Sequence, residues 1–254
     1  MINPMMNAVA LDADFMIKYL CEVPITDKIK VHMTTTHVAM WIVMIFIMVL
    51  AVVARVIINK ADASDTPGAY QNVVEMAIDM LGNMVNASMG PQAKRFVNYI
   101  TAIFIFIIIS NVSGLLGLRP PTADYGVTLP LGLITFGMIH YCGIKKNKVK
   151  HFTALFEPFA LLFPINLIGE FAVPLSLSLR LFGNIMSGTV LMGLIYGLLP
   201  VFVKIGIPAA LHVYFDAFSG CIQAYVFSML TMVYVNDKIA CLLYTSDAAD
   251  ERSS

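Results

Sequence analysis

Charge is scarce in this sequence. Of 254 residues only 13% are Asp, Glu, Lys or Arg, whereas 59% are apolar and mean hydropathy is +0.80. Ordinary soluble domains carry about 25% charged residues, so the polar surface is too small to cover a soluble globule, which argues against a soluble enzyme. The 16 basic and 16 acidic residues cancel, and the basic excess of a nucleic-acid binder is missing. Cys21, Cys142, Cys221 and Cys241 are far apart and form no CxxC pair, so neither a zinc site nor a disulfide framework is indicated. The first residues hold Asp12 and Asp14 and lack a basic start followed by an apolar run, unlike a cleaved signal peptide. Membrane insertion is expected from internal segments.

What is present is a series of long apolar runs. A spanning helix needs about 20 mostly apolar residues, and the pattern predicts an all-α polytopic membrane protein with about five such helices, over residues 38–58, 96–118, 125–144, 159–199 and 203–236. The second is bounded by Lys94 and Arg95 before it and Arg119-Pro120-Pro121 after it. The third ends at Lys145, Lys146, Lys148 and Lys150. Basic residues in short loops stay on the cytoplasmic side, which puts this cluster inside, residues 1–36 outside and the C-terminus inside. Between the first two spans, Thr66-Pro67 reads as an N-cap and first helical position. Val74, Ala77, Ile78, Leu81, Met84 and Val85 then follow at helical spacing, with Glu75 and Asp79 opposite. This is an amphipathic helix over 67–89, suited either to the inner membrane surface or to a soluble partner.

The last two runs are too long for upright crossings. From Phe159 to Val203 the chain is almost wholly apolar over about 45 residues, roughly twice a membrane crossing. It is interrupted by Pro164 and Pro174, and a second run from Ile205 to Val235 contains only Asp216 as a charge. A strongly tilted hairpin accommodates these lengths, and 37–240 forms the membrane domain. Ionisable groups at membrane depth are costly and mark pathways or partners. Glu170, Arg180 and Asp216 are the candidates, and no other acidic residue lies between Glu170 and Asp216. Arg180 cannot shed its proton, so either Asp216 or a carboxylate of another subunit must answer it. Ser176, Asn184 and Ser187 share its helix face, and Asp216, Ser219, Gly220 and Gln223 repeat a polar stripe on the next helix. Gly183 and Gly188 permit close approach of a neighbour. As plainer readings, Arg180 and Asp216 would form a buried salt bridge that registers the hairpin, Asn184 and Gln223 would be interhelical hydrogen bonds, and Ser176 and Ser178 packing residues. His212 lies near Asp216, Lys204, His140 and His151 are assigned to interfaces, and Glu157 and the triplets at Asn86 and Asn111 receive no functional reading.

The string Pro174-Leu-Ser-Leu-Ser-Leu-Arg180-Leu-Phe-Gly-Asn184, followed by Ile222-Gln223-Ala224-Tyr225-Val226-Phe227, closely resembles the signature of subunit a of F-type ATP synthases. The resemblance extends from the first span to about Ala240, and the Arg119-Pro-Pro-Thr-Ala-Asp124 loop looks like bacterial members. It implies an ion-translocating stator subunit, most often for protons, with two half-channels against a rotating ring of c subunits. It also implies peripheral-stalk b subunits and the remaining synthase subunits as partners, and a bacterial cytoplasmic membrane. Arg180 matches the arginine that faces the ring carboxylate, Asn184 the polar residue one turn on, and Gln223 the amide that faces the arginine. Asp216 stands where members carry an ionisable group in the external half-channel, and Glu170 matches an acidic residue of the cytoplasmic half-channel. Thr189 stands where many members carry Glu or His, and Val173 replaces a basic residue. ATP chemistry is implied to belong to partner subunits, since no nucleotide, metal, cofactor or catalytic motif is found here. The choice between H⁺ and Na⁺ belongs mainly to the ring. A stand-alone ion-coupled secondary transporter is the alternative reading, but it would call for an internal repeat. Residues 241–254, Cys241-Leu-Leu-Tyr-Thr-Ser-Asp-Ala-Ala-Asp-Glu251-Arg-Ser-Ser254, resemble translated transposase adapter, so the natural end is expected near Ala240. Without that tail the charge balance turns slightly basic.

Overall fold

The structure, a computed structural model, describes residues 19–26, 29–60, 68–147, 163–198 and 206–240. The expectations placed on residues 1–18, on Thr66-Pro67, Lys148, Lys150, His151, Glu157, Lys204 and the tail 241–254 fall outside these residues. A two-stranded antiparallel hairpin, β1 (Tyr19–Thr26) and β2 (Ile29–Thr34), opens the described chain, with Val23 opposite Val31. The apolar-run reading did not predict it. After it come the helices α1 (Thr35–Lys60), α2 (Ala69–Met89), α3 (Ala93–Val112), α4 (Tyr125–Asn147) and α5 (Phe163–Leu198). A last rod is built from α6 (Ile207–His212), a π-helical stretch Val213–Ser219 and α7 (Gly220–Ala240). Five stretches are long and apolar enough to cross a membrane: Thr35–Asn59, one within Ala69–Leu116, Tyr125–Lys146, Phe163–Gly197 and Pro208–Ile239.

The turns between helices follow from local chemistry. Gly90 has φ +53°, a conformation that glycine adopts without steric cost. Pro91 then restarts the chain in a short 3₁₀ turn, Gly90–Gln92, that leads into α3. Beyond α3, Ser113–Leu116 tightens into another 3₁₀ turn and ends at Gly117, φ +74°. In α2 only the second half of the apolar stripe is covered: Leu81, Val85 and Met89 are buried, while Ala77 and Ile78 stay exposed.

The core is a continuous seam of side chains from α2, α3, α4 and α7. Val85, Met89, Ala93, Phe96, Ile100, Ile139, Cys142, Met232, Val235 and Ile239 form one cluster. Ile103, Ile107, Leu177, Leu181, Ala224 and Phe227 extend it along α3, α5 and α7. The outer faces of α1, α5 and the last rod remain lined with exposed Ile, Leu, Val, Phe and Met, the inverse of a soluble protein and suited to lipid.

The last two rods form an antiparallel hairpin. Glu170 meets Lys238, Asn184 meets Ser219, Gly188 meets Phe215, and Tyr196 meets His212. With 36 residues, α5 is about 54 Å long at 1.5 Å per residue, so it cannot stand upright in a hydrocarbon core of about 30 Å without tilting. Pro174 lies inside α5, and Pro130 lies inside α4. Membrane helices tolerate proline because neighbouring groups re-satisfy the backbone. The Pro174 carbonyl faces Gly132, where an added Cβ would sit 2.7 Å from the oxygen. Gly132→Ala is therefore expected to force α4 and α5 apart at a cost of about 1–3 kcal/mol. Unfolding by denaturing detergent in mixed micelles should begin earlier for this variant, and an unchanged transition would contradict the close approach.

Candidate functional site

Arg180 sits near the middle of α5, six residues after Pro174 and directly after the Leu-Ser repeat. Its side chain is exposed on the outer face of the bundle. Among the described residues it has no hydrogen-bond or ion-pair partner. Around it Phe171, Leu175, Leu179, Leu191 and Leu194 are also exposed, and a Cβ added at Gly183 would meet open space. A cation thus stands alone on a long apolar face. Because a guanidinium at membrane depth is strongly disfavoured without an anion, this face is incomplete.

Of the two answers left open by sequence, the structure does not use Asp216. Its carboxylate accepts from or pairs with His212 Nδ1 at 2.8 Å, and it packs on Gly114, where an added Cβ would lie 3.1 Å from Cγ. The buried Arg180–Asp216 salt bridge is absent among the described residues. The cause lies in the backbone. Asp216 occupies the π-helical stretch, whose wider turns carry one extra residue per turn relative to an α-helix. The single polar stripe drawn through Asp216, Ser219, Gly220 and Gln223 assumes a regular α-helix, and the π stretch breaks it. Asp216 is turned toward the loop after α3, while Gln223, buried to 8% exposure, lies in the helix seam with its amide nitrogen unpartnered.

The remaining predicted residues divide into two groups. Asn184 Oδ1 accepts from Ser219 Oγ at 2.9 Å, the polar rung that ties α5 to the π stretch. Ser187 and Thr189 return their hydroxyls to their own helix, to the carbonyls of Asn184 at 2.9 Å and Ile185 at 2.9 Å. Such back-bonding satisfies a hydroxyl on an apolar face and leaves it with no role in tying helices. Ser176 is exposed, and Ser178 donates to the Leu175 carbonyl at 3.0 Å.

Glu170 lies at the other end of α5 within a three-residue cluster. Its carboxylate is held by Lys238 from the end of α7 and lies 3.7 Å from His140 Nε2 of α4. His140 was assigned only to an interface by sequence reasoning, and Lys238 was not singled out, since it is an ordinary residue of a helix end until the hairpin closes. Asn111 was likewise passed over. It is buried, accepts from Thr122 Oγ1 at 2.7 Å and donates to the Gly220 carbonyl at 3.2 Å. It thereby links α3, the loop before α4 and the first residue after the π stretch. Gly220 is required there, because an added Cβ would lie 2.7 Å from Asn111 Cβ. The sequence signal for this contact is a polar residue in the run of Ile and Phe that makes up α3.

A lone cation midway along the hairpin thus separates an acid–histidine pair at one end from an acid–lysine–histidine cluster at the other. The arrangement fits the passage of ions. Comparison with known proteins agrees. A family model described as "ATP synthase A chain" matches residues 37–236. "ATP synthase subunit a, sodium ion specific" of Propionigenium modestum is 36% identical over 231 residues, 84% of this chain and 77% of that protein. "ATP synthase subunit a" of Listeria monocytogenes serotype 4b is 37% identical over 216 residues, 78% of this chain and 91% of the relative. The protein of the same name from Bacillus pumilus is 34% identical over 222 residues, again 78% and 91%. The match runs from His37 in the first membrane-length helix to Asn236 in the last. On that coverage the chain belongs to the ATP synthase A chain family, the multi-pass, ion-translocating subunit a of the membrane sector of bacterial F-type ATP synthases.

Proposed function

We propose that Arg180 is the fixed cation past which the carboxylates of a rotating c-ring move, with the exposed face of α5 as the ring-facing surface. The observation that carries this reading is the lone guanidinium on an apolar face with open space at Gly183. A carboxylate approaching Arg180 is held ionised by the nearby positive charge, and on moving into lipid it takes up an ion because burial disfavours its charge. Each ion crossing the membrane potential contributes about 2.3 kcal/mol per 100 mV. Rotation in one direction follows when ions enter and leave on opposite sides of the arginine.

The two acidic clusters supply those sides. Asp216 with His212 forms the outer relay, near the loop after α3. His212 takes the place of the second ionisable group that Thr189 does not provide, since Thr189 is engaged with its own helix. Glu170 forms the inner mouth, on the side of Lys145 and Lys146 if the basic helix ends are cytoplasmic. This orientation puts the N-terminus outside and the C-terminus inside, and peripheral-stalk b subunits join the ring as partners. At the inner mouth Lys238 competes with the transported cation for Glu170.

The coupling ion is read as the proton. The similarity to a relative named sodium ion specific supports Na⁺ as the second reading, and Na⁺ titration of ATP-driven transport at fixed pH separates them. Arg180→Ala in the assembled complex is expected to abolish ion-coupled ATP synthesis while the membrane sector still assembles. Synthesis retained in this variant, measured in energised proteoliposomes, would defeat the assignment. Lys238→Gln should lower the inner-side ion concentration giving half-maximal ATP-driven pumping by about two- to fivefold, the effect of removing a partly exposed ion pair worth about 0.2–1 kcal/mol. An unchanged half-saturating concentration would make Lys238 a mere tie between helices.

A further inference from the structure

A cavity of about 210 Å³ lies where the start of α3 meets the ends of α4 and α7, lined by Gln92, Arg95, Cys142, Lys145, Lys146 and Ile239. Three cations from two helices converge on it, and among the described residues no carboxylate lines it. Lys146 Nζ donates to the Ile239 carbonyl at 2.7 Å, and the Lys145 ammonium lies 5.7 Å from the Tyr141 ring centroid. Both lysines stand in the last turn of α4, where the helix dipole favours positive charge. Arg95 has no such support: it is in the first turn of α3, and among the described residues it has no partner.

Membrane topology asks only that basic residues be present in an inner loop. It does not require that they be gathered around one cavity, where like charges repel one another. A bound anion removes that repulsion. The donors present, a planar guanidinium fork, two ammonium groups and a primary amide, suit the several oxygens of a phosphate. The buried Cys142 and Ile239 give the cavity an apolar floor, and basic pockets between membrane helices on the cytoplasmic side recognise anionic headgroups.

We propose that this cavity binds the phosphate of an anionic phospholipid headgroup from the inner leaflet, with Arg95 as the principal ligand and Lys145 and Lys146 beside it. The bound lipid fastens the joint between α3, α4 and α7 at the membrane surface. The site is separate from the ion path, so it stands or falls independently of the roles given to Arg180, Glu170 and Asp216.

The test uses the complete complex, stripped of lipid in mild detergent and incubated with dimyristoyl phosphatidylglycerol, dimyristoyl phosphatidylcholine or inorganic phosphate. Native mass spectrometry reads the lipid retained on subunit a. The wild type should retain phosphatidylglycerol at least fivefold over phosphatidylcholine. Arg95→Gln with Lys145→Gln should lose that preference, and adding Asn147→Lys, which restores one of the lost loop charges away from the cavity, should not bring it back. Arg95→Lys, which retains the charge without the planar fork, guards against misfolding and should keep an intermediate preference. Unchanged retention in the double variant would overturn the site. Recovery of the preference through Asn147→Lys would show bulk loop charge to be enough and would overturn it as well. Inorganic phosphate at equal concentration displacing the lipid completely would assign the cavity to free phosphate and overturn the lipid proposal.

Discussion

A guanidinium placed halfway along a membrane helix sets the terms for the rest of this molecule. Arg180 cannot be neutralised by losing its proton, and hydrocarbon cannot solvate it, so an anion must face it at membrane depth. The described residues supply no such anion. The first acidic residues on either side of Arg180 in sequence, Glu170 and Asp216, are each occupied by basic residues of their own, Lys238 and His140 in one case and His212 in the other. Internal satisfaction of the two carboxylates therefore leaves the arginine without a partner among the described residues.

The hairpin geometry makes this separation possible. Glu170 and Asp216 lie toward opposite ends of an antiparallel pair, with the Asn184–Ser219 rung between them. A tilted rod of about 54 Å holds the two clusters apart along its length. The π stretch Val213–Ser219 supplies the other half of the device, because it turns Asp216 away from Arg180 without moving Gln223 out of the helix seam. Wide turns of this kind are rare and occur often at functional sites. Asn111 and Thr122 hold this one from the α3 side, against a glycine whose missing side chain admits them.

Much of this was legible in advance, and the reasons are specific. Five apolar runs announce five membrane-length helices because lipid leaves no other way to satisfy the backbone. Arg180 stood out because a charge inside such a run has a high cost, whatever surrounds it. By contrast, Lys238 looks like an ordinary helix-end residue, and nothing in its local sequence pairs it with a glutamate nearly 70 positions away. The β1–β2 hairpin was missed because a short strand pair beside long apolar helices contributes little to composition or periodicity.

By itself the sequence determined that the protein lives in a membrane, that its last two helices are overlong, and that a permanent cation lies within one of them. These are properties of composition and one-dimensional spacing, since transfer into lipid depends on each segment's own side chains. Only the tertiary structure decided which acid answers which base. Periodicity assumes a regular helix, and a single π-helical stretch rotates Asp216 off the stripe that sequence assigns it. Whether a buried charge is paired or left for a partner depends on a few ångströms between helices that are distant in the chain, and no local pattern of residues encodes that distance.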